Sequence, residues 1–233
     1  MIVLTQETGQ KTAGHTCLLD RDAVLKKDCC YWRWRRIQDV VLSILALSVL
    51  WLPMLLMALF IVIDSPGASP IFAQTRIGRD GKPFTLYKFR SMRPHAEKEL
   101  AELLPYNEMD GPVFKIKNDP RITRVGRFIR RSSIDELPQL FNILKGDMSL
   151  VGPRPERPFF VEKFREEIPR YMVKHQVRPG LTGWAQVNGY RGDTSIRKRI
   201  EHDLYYIENW TLGFDLKIIF LTFFKGFINK NAY

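Results

Sequence analysis

Val40-Val41-Leu42-Ser43-Ile44-Leu45-Ala46-Leu47-Ser48-Val49-Leu50-Trp51-Leu52-Pro53-Met54-Leu55-Leu56-Met57-Ala58-Leu59-Phe60-Ile61-Val62-Ile63 holds no charged side chain. As a helix rising about 1.5 Å per residue it would extend roughly 36 Å, enough to cross a hydrocarbon core of roughly 30 Å. Pro53 interrupts it, removing a helix hydrogen bond and crowding the preceding turn. Each arm alone reaches only partway through a bilayer. Before the stretch lie Lys26, Lys27, Arg33, Arg35 and Arg36; after it come Arg76, Arg79, Lys82, Lys88, Arg90 and Arg93. Basic flanks favour the cytoplasmic side, here at both ends. A re-entrant helix that dips in, bends at Pro53 and returns satisfies both flanks. A spanning anchor with a proline kink is the competing reading, and sequence alone leaves the choice open.

The chain has 233 residues, enough for one substantial domain besides this membrane element. We divide it into a mobile tail without assigned function over 1–30, the membrane helix and its flanks over 31–66, and a domain over 67–233. The formal charge of +11 and pI near 9.7 point to polyanionic partners: nucleic acid, anionic membrane lipid or phosphorylated substrates. The apolar stretch favours lipid and phosphate, and no nucleic-acid-binding motif is present. Cys17, Cys29 and Cys30, odd in number and without ligand spacing, argue against disulfides and zinc alike. The apolar run starts too late and is too long for a secretory signal.

The predicted fold class is α+β and mostly helical, with a small β-hairpin and interfacial amphipathic helices. Pro70 to Thr75 and Pro83 to Phe89 read as the two strands, joined through the turn signal Arg79-Asp80-Gly81-Lys82. Period-two alternation puts Lys88 and Arg90 on one face of the second strand, where a basic row could receive phosphates or simply face solvent. Ala96 to Leu104 is a short polar helix candidate. Val161, Phe164, Ile168, Tyr171 and Met172 recur with helical spacing and read as core, as do Ile196, Ile200, Leu204 and Ile207, with Asp203 on another face. Leu216 to Ile228 is too short to span. It suits either a helix lying in the interface or a buried core helix, and the two readings stay level. No P-loop is present, so a nucleotide must be held some other way.

Asp135 and Glu136, in Ser132-Ser133-Ile134-Asp135-Glu136-Leu137-Pro138, form an acidic pair in a basic chain. Successive helical residues point about 100° apart, so the two carboxylates can divide the work, one attacking and one holding a cation. Two bland readings compete: a capping box from Ser133 to Glu136, or Asp135 as the cap itself. Pro138 fits a helix starting near Asp135 better than one capped by Ser133. Arg130 and Arg131 lie upstream, and Pro153-Arg154-Pro155 and Arg178-Pro179-Gly180 follow. An arginine between two prolines has a restricted backbone that suits bidentate recognition of phosphate. Together with the acidic pair these segments outline a diphosphate site.

Four segments then carry a resemblance: Lys88-Phe89-Arg90-Ser91-Met92; Asp135-Glu136-Leu137-Pro138-Gln139-Leu140; Asn142 through Pro155; and Arg178-Pro179-Gly180-Leu181-Thr182-Gly183-Trp184-Ala185-Gln186-Val187-Asn188-Gly189. They occur in this order and resemble the bacterial sugar transferase family, the monotopic phosphoglycosyl transferases that act on polyprenyl phosphate. The likeness runs from about Ile37 to the end. It implies an enzyme on the cytoplasmic face of the bacterial inner membrane, with a re-entrant helix and a Mg²⁺-dependent two-step reaction. Asp135 would attack the β-phosphate of a UDP-sugar and expel UMP. The sugar phosphate would then pass to undecaprenyl phosphate, initiating exopolysaccharide, capsule or O-antigen-type assembly. Glu136 would hold the metal. Lys88, Arg130 and Arg154 match substrate-phosphate positions, with Arg90 a further substrate-binding candidate from its place beside Lys88; Arg178, Gln186 and Arg191 would serve nucleotide or sugar, and Asp203 would support the site. Relatives with Ser-Pro at the membrane break differ from this chain, which has Leu52-Pro53, so a hydroxyl for the freed carbonyl must come from Ser43, Ser48 or water.

A rival reading from a different class is a non-catalytic basic protein on the membrane surface that binds anionic lipid or a partner enzyme. The sequence leaves open which sugar is carried and the oligomeric state, a homodimer being one option.

Overall fold

The computed structural model describes residues 29–108, 114, 116, 118–190 and 194–226. The tail expected over 1–30 lies outside the described residues except for its last two, which are already helical.

Helix α1 spans Cys29–Asp64, 36 residues with Pro53 inside. It starts well before the uncharged stretch because its charged first turns are tertiary partners of the domain. One stripe is buried: Arg35, Asp39, Ser43, Met54, Ile61 and the following Ser65 are covered, with Ala46, Leu47, Leu50, Met57 and Ala58 half-buried between them. The stripe keeps its three-and-four spacing through Pro53, the period of one helix face. The opposite face leaves Leu45, Val49, Trp51, Leu52, Leu55, Leu59, Phe60 and Ile63 in the open. The carbonyl that Pro53 deprives of a donor gains none from the expected serines: Ser48 Oγ donates to Leu45 O at 2.8 Å, and the Ser43 hydroxyl is buried without a hydrogen bond.

Strands β1 (Ile71–Ile77) and β2 (Pro83–Phe89) form the antiparallel hairpin, in a register pairing Ile71 with Phe89 and Ile77 with Pro83. Between them Asp80 (φ 56°) and Gly81 (φ 72°) are both left-handed, the conformation that short hairpin turns demand of Asp and Gly. The polar helix expected from Ala96 is shorter: α2 covers Leu100–Leu103 and tightens into a 3₁₀ turn over Leu104–Tyr106. Helix α3 (Arg124–Arg131) is capped by the Thr123 side chain, which accepts from Gly126 N at 2.9 Å. Helix α4 (Gln139–Lys145) ends on Gly146 at φ 95°, the left-handed stop that glycine supplies.

A second sheet was not anticipated. Strand β3 (Ser149–Val151) is followed by helix α5 (Pro158–Glu167) and a 3₁₀ segment (Tyr171–Gln176), and then pairs in parallel with β4 (Gly180–Thr182). Glycines permit this crossing. A Cβ on Gly180 would lie 2.1 Å from Gly152 N, and one on Gly183 would lie 2.4 Å from Gly152 O. Helices α6 (Trp184–Val187), α7 (Ile196–Glu208) and α8 (Leu212–Gly226) follow among the described residues.

Both apolar stripes read from the sequence are core, but the first ends early. Val161, Phe164 and Ile168 belong to α5 or its end, whereas Tyr171 sits in the separate 3₁₀ segment; all are buried with Ile200, Leu204, Ile207 and Trp210. Helix α8 answers both readings of the C-terminal stretch: Asp215 and Ile218 are buried, while Leu216, Phe220, Phe223 and Phe224 are exposed. A buried knot ties α8 to α1. Arg35 Nε lies 3.4 Å from Asp215 and its guanidinium stacks over Trp210. Tyr206 Oη and Trp210 Nε1 donate to Asp215 at 2.6 and 3.2 Å. Farther along α1, Asp39 accepts from Ser149 Oγ and Leu150 N at 3.0 and 2.9 Å.

Candidate active site

The acidic pair lies in a 3₁₀ turn, Ile134–Glu136, between α3 and α4. Ser133, just before it, is left-handed (φ 58°) and its side chain caps nothing in the turn, so the capping-box reading is excluded. Helix α4 starts only at Gln139, after Pro138, which places the proline where its missing N–H costs least. Ile134 and Leu137 pack against the cluster of Met54, Ile61, Phe89 and Ile129. Two apolar anchors thus hold the turn against α1, and the carboxylates between them, both buried, are fixed by the backbone that carries them.

Glu136 meets two cations from distant segments. Arg154 places Nη2 at 2.8 Å from Oε1 and Nη1 at 3.3 Å from Oε2, a two-pronged contact of the kind that fixes orientation as well as charge. Lys88 Nζ, from β2, lies 3.3 Å from Oε1. Burial lowers the Lys88 ammonium from its ordinary range, opposed by the attraction of Glu136. Arg154 sits in the turn after β3, stitched to β4 by Gly180 N donating to Pro153 O at 2.9 Å. Arg76, on β1, braces the same turn, donating to Pro155 O at 3.3 Å and to Gln74 Oε1 at 2.6 Å; burial pushes its guanidinium down to about 10. The sequence reading stopped the first strand one residue short of Arg76 and missed it. Its place on the Gln74 face of the alternation was the available signal.

Arg130, on α3, donates from Nε to Ser91 Oγ at 2.8 Å. Gly126 makes this possible: a Cβ there would fall 1.9 Å from Ser91 O, so only glycine lets α3 approach so closely. The other expected residues are engaged elsewhere. Arg90 is buried and donates to Ser65 O and Ala68 O at 2.6 and 3.1 Å, at the end of α1. Arg178 Nε donates to Gly146 O at 2.9 Å, beside Arg36 on the Ile143 and Leu144 carbonyls; both close the end of α4, where cations are favoured. Gln186 donates to Leu181 O at 3.3 Å. Asp203 lies 3.5 Å from Lys174 Nζ, both buried, and burial raises its carboxyl to about 6 against the pull of Lys174 and Arg199. Arg191 lies outside the described residues.

Among the described residues no three acidic or imidazole side chains converge as a metal cage. One or two carboxylates, with phosphate and water oxygens completing the shell, is the usual Mg²⁺ arrangement. Asp135 and Glu136, consecutive and both buried, are the carboxylates that could supply such donors, with Glu136 also engaged by Arg154 and Lys88.

Residues 30–229 match the sequence profile of the bacterial sugar transferase family, and the chain belongs to that family. It is 48% identical over 204 residues to the UDP-glucose:undecaprenyl-phosphate glucose-1-phosphate transferase of Escherichia coli, covering 85% of this chain and 41% of that protein. A UDP-N-acetylgalactosamine-undecaprenyl-phosphate N-acetylgalactosaminephosphotransferase of Aeromonas hydrophila is 46% identical over 190 residues, covering 81% and 42%. A Caulobacter vibrioides protein with the same name as the Escherichia coli one is 45% identical over 206 residues, covering 85% and 72%. The chain spans less than half the length of the first two.

Proposed function

We propose that this chain transfers a hexose 1-phosphate from a UDP-sugar to undecaprenyl phosphate, in two steps through Asp135, as the first reaction of a surface-glycan assembly. In the first step a carboxylate oxygen of Asp135 bonds to the β-phosphorus. The bond from that phosphorus to the bridging oxygen breaks, and UMP departs with the electron pair. In the second step a phosphate oxygen of the polyprenyl carrier bonds to the same phosphorus, releasing the Asp135 carboxylate and forming the lipid diphosphosugar. Splitting one difficult transfer into two is what a carboxylate nucleophile contributes. Arg154 and Lys88 hold Glu136 and add positive charge where phosphate oxygens must gather. A magnesium ion on Glu136, when bound, would neutralise phosphate charge as UMP leaves.

The observation that carries this reading is the pair of buried carboxylates beside cations from β2 and the Pro153–Pro155 turn. The continuous packed stripe of α1 supports a monotopic placement. One stripe of the helix packs against its own domain on both sides of Pro53, from Arg35 to Ile61, a contact that a lone spanning anchor does not need. The exposed apolar faces of α1 and α8 are suited to one leaflet, and the cytoplasmic one follows from the basic flanks. Purified protein offered a panel of UDP-sugars should release UMP, with Mg²⁺ and polyprenyl phosphate both needed for full turnover. Absence of UMP from every donor would leave the non-catalytic alternative.

A further inference from the structure

Helix α3 has a use beyond carrying Arg130. Its sequence, Arg124-Val125-Gly126-Arg127-Phe128-Ile129-Arg130-Arg131, holds no acidic residue. At 100° per residue, Val125, Gly126 and Ile129 share the side packed against the domain, and Ile129 is fully buried. Arg124, Arg127, Phe128 and Arg131 fall on the opposite face, and all four are exposed. No side chain of these three outer arginines makes a hydrogen bond or ion pair among the described residues.

That face is unfavourable in water on three counts. Arginines at spacings of three and four repel one another. Arg124 stands in the first turn, where the helix dipole disfavours a cation and the helix itself carries no acidic residue. Phe128 lies among them 59% exposed. Each cost is relieved where anionic groups lie over an apolar layer, the makeup of an anionic bilayer surface. The neighbours agree. Val125 and Ile129 pack with Met54, Met57, Ala58 and Ile61 of α1, and Asp64 of α1 accepts from Val125 N at 3.1 Å. The basic face is thereby fixed beside the half of α1 that exposes Leu55, Leu56, Leu59, Phe60 and Ile63.

We propose that Arg124, Arg127 and Arg131, with Phe128 among them, form a docking face for anionic phospholipid headgroups of the bilayer that receives α1. This rests on the monotopic placement above. It assigns to α3 the depth and tilt at which Arg130, on its inner side, meets Ser91.

The test reconstitutes the full chain into phosphatidylcholine nanodiscs containing equal small fractions of dansyl-phosphatidylglycerol or dansyl-phosphatidylcholine. Energy transfer from the protein's tryptophans then reads lipid enrichment. The wild type should favour the anionic probe, by up to about fivefold for one retained headgroup contact. Arg124→Gln/Arg127→Gln/Arg131→Gln should bring the ratio near one, as should high salt, while transfer to the neutral probe persists. Phe128→Ser, which keeps the charge, should retain most of the preference. Equal transfer to both probes in the wild type, or an undiminished preference in the triple variant, would overturn the inference. Absence of transfer to either probe would instead overturn the membrane placement itself.

Discussion

Arg154 closes both terminal nitrogens of its guanidinium on the Glu136 carboxylate, at 2.8 and 3.3 Å, and so couples the Pro153–Pro155 turn to the acidic pair. Lysine could keep the charge but not the two-pronged contact. Arg154→Lys should lower UMP release from a UDP-sugar by about ten- to a hundredfold, the range of one lost charged hydrogen bond. Steady-state kinetics in detergent would check it, with thermal unfolding nearly unchanged.

Gly126→Ala tests the close approach of α3 to Ser91. With the new Cβ 1.9 Å from a main-chain oxygen, backbone must move. We expect a loss of about 2 kcal/mol in stability, within the range for overpacking. Activity should fall further than stability explains, because the Arg130–Ser91 contact depends on the same approach. Calorimetry and turnover on one preparation would separate the two.

The knot of Arg35 and Asp215 is a matter of stability. Arg35→Leu strands a buried carboxylate and should cost about 3–5 kcal/mol, whereas Arg35→Leu/Asp215→Leu should recover part of that. Chemical denaturation of both variants would show whether the double variant is the more stable.

Low pH acts through His175. Burial, then the neighbouring Lys174, lower its imidazole to about 4 from an ordinary 6.5. The unfolded chain therefore binds the extra proton first as pH falls below 6.5. Stability attributable to His175 is whole above that pH and drains away toward pH 4, by about 3 kcal/mol in total. Asp203, raised to about 6, contributes with the opposite sign: its share is whole below its ordinary 3.8 and is lost as pH rises through 6. The informative quantity is a difference. Between pH 7 and 4.5 the wild type should lose more stability than His175→Gln, measured by thermal unfolding.

Much of this was legible in the sequence where side-chain pattern and secondary structure share a period. The hairpin strands alternate, its turn carries Asp and Gly at the two left-handed positions, and the stripes of α5 and α7 face the core. The start of α1 was not legible, because Arg35, Arg36 and Asp39 look like a solvated flank until β3, α4 and α8 supply their partners. The β3–β4 pairing escaped because three-residue strands carry no period, and it depends on glycines whose close approach only the fold reveals. The acidic pair itself was readable, but its setting was not. Ser133 turns left-handed, so the helix expected near Asp135 waits until Gln139. Arg90 and Arg178 are substrate-binding candidates in the sequence, yet in the structure they donate to main-chain carbonyls, a use no local signal distinguishes.

The central claim is that phosphorus becomes bonded to Asp135. Incubating purified protein with a UDP-sugar labelled at the β-phosphate, without polyprenyl phosphate, should leave label on the peptide containing Asp135, with matching UMP release. Adding the lipid carrier should discharge it, and Asp135→Asn should never acquire it. Unlabelled Asp135 in a preparation that turns over normally when the carrier is supplied would contradict the account.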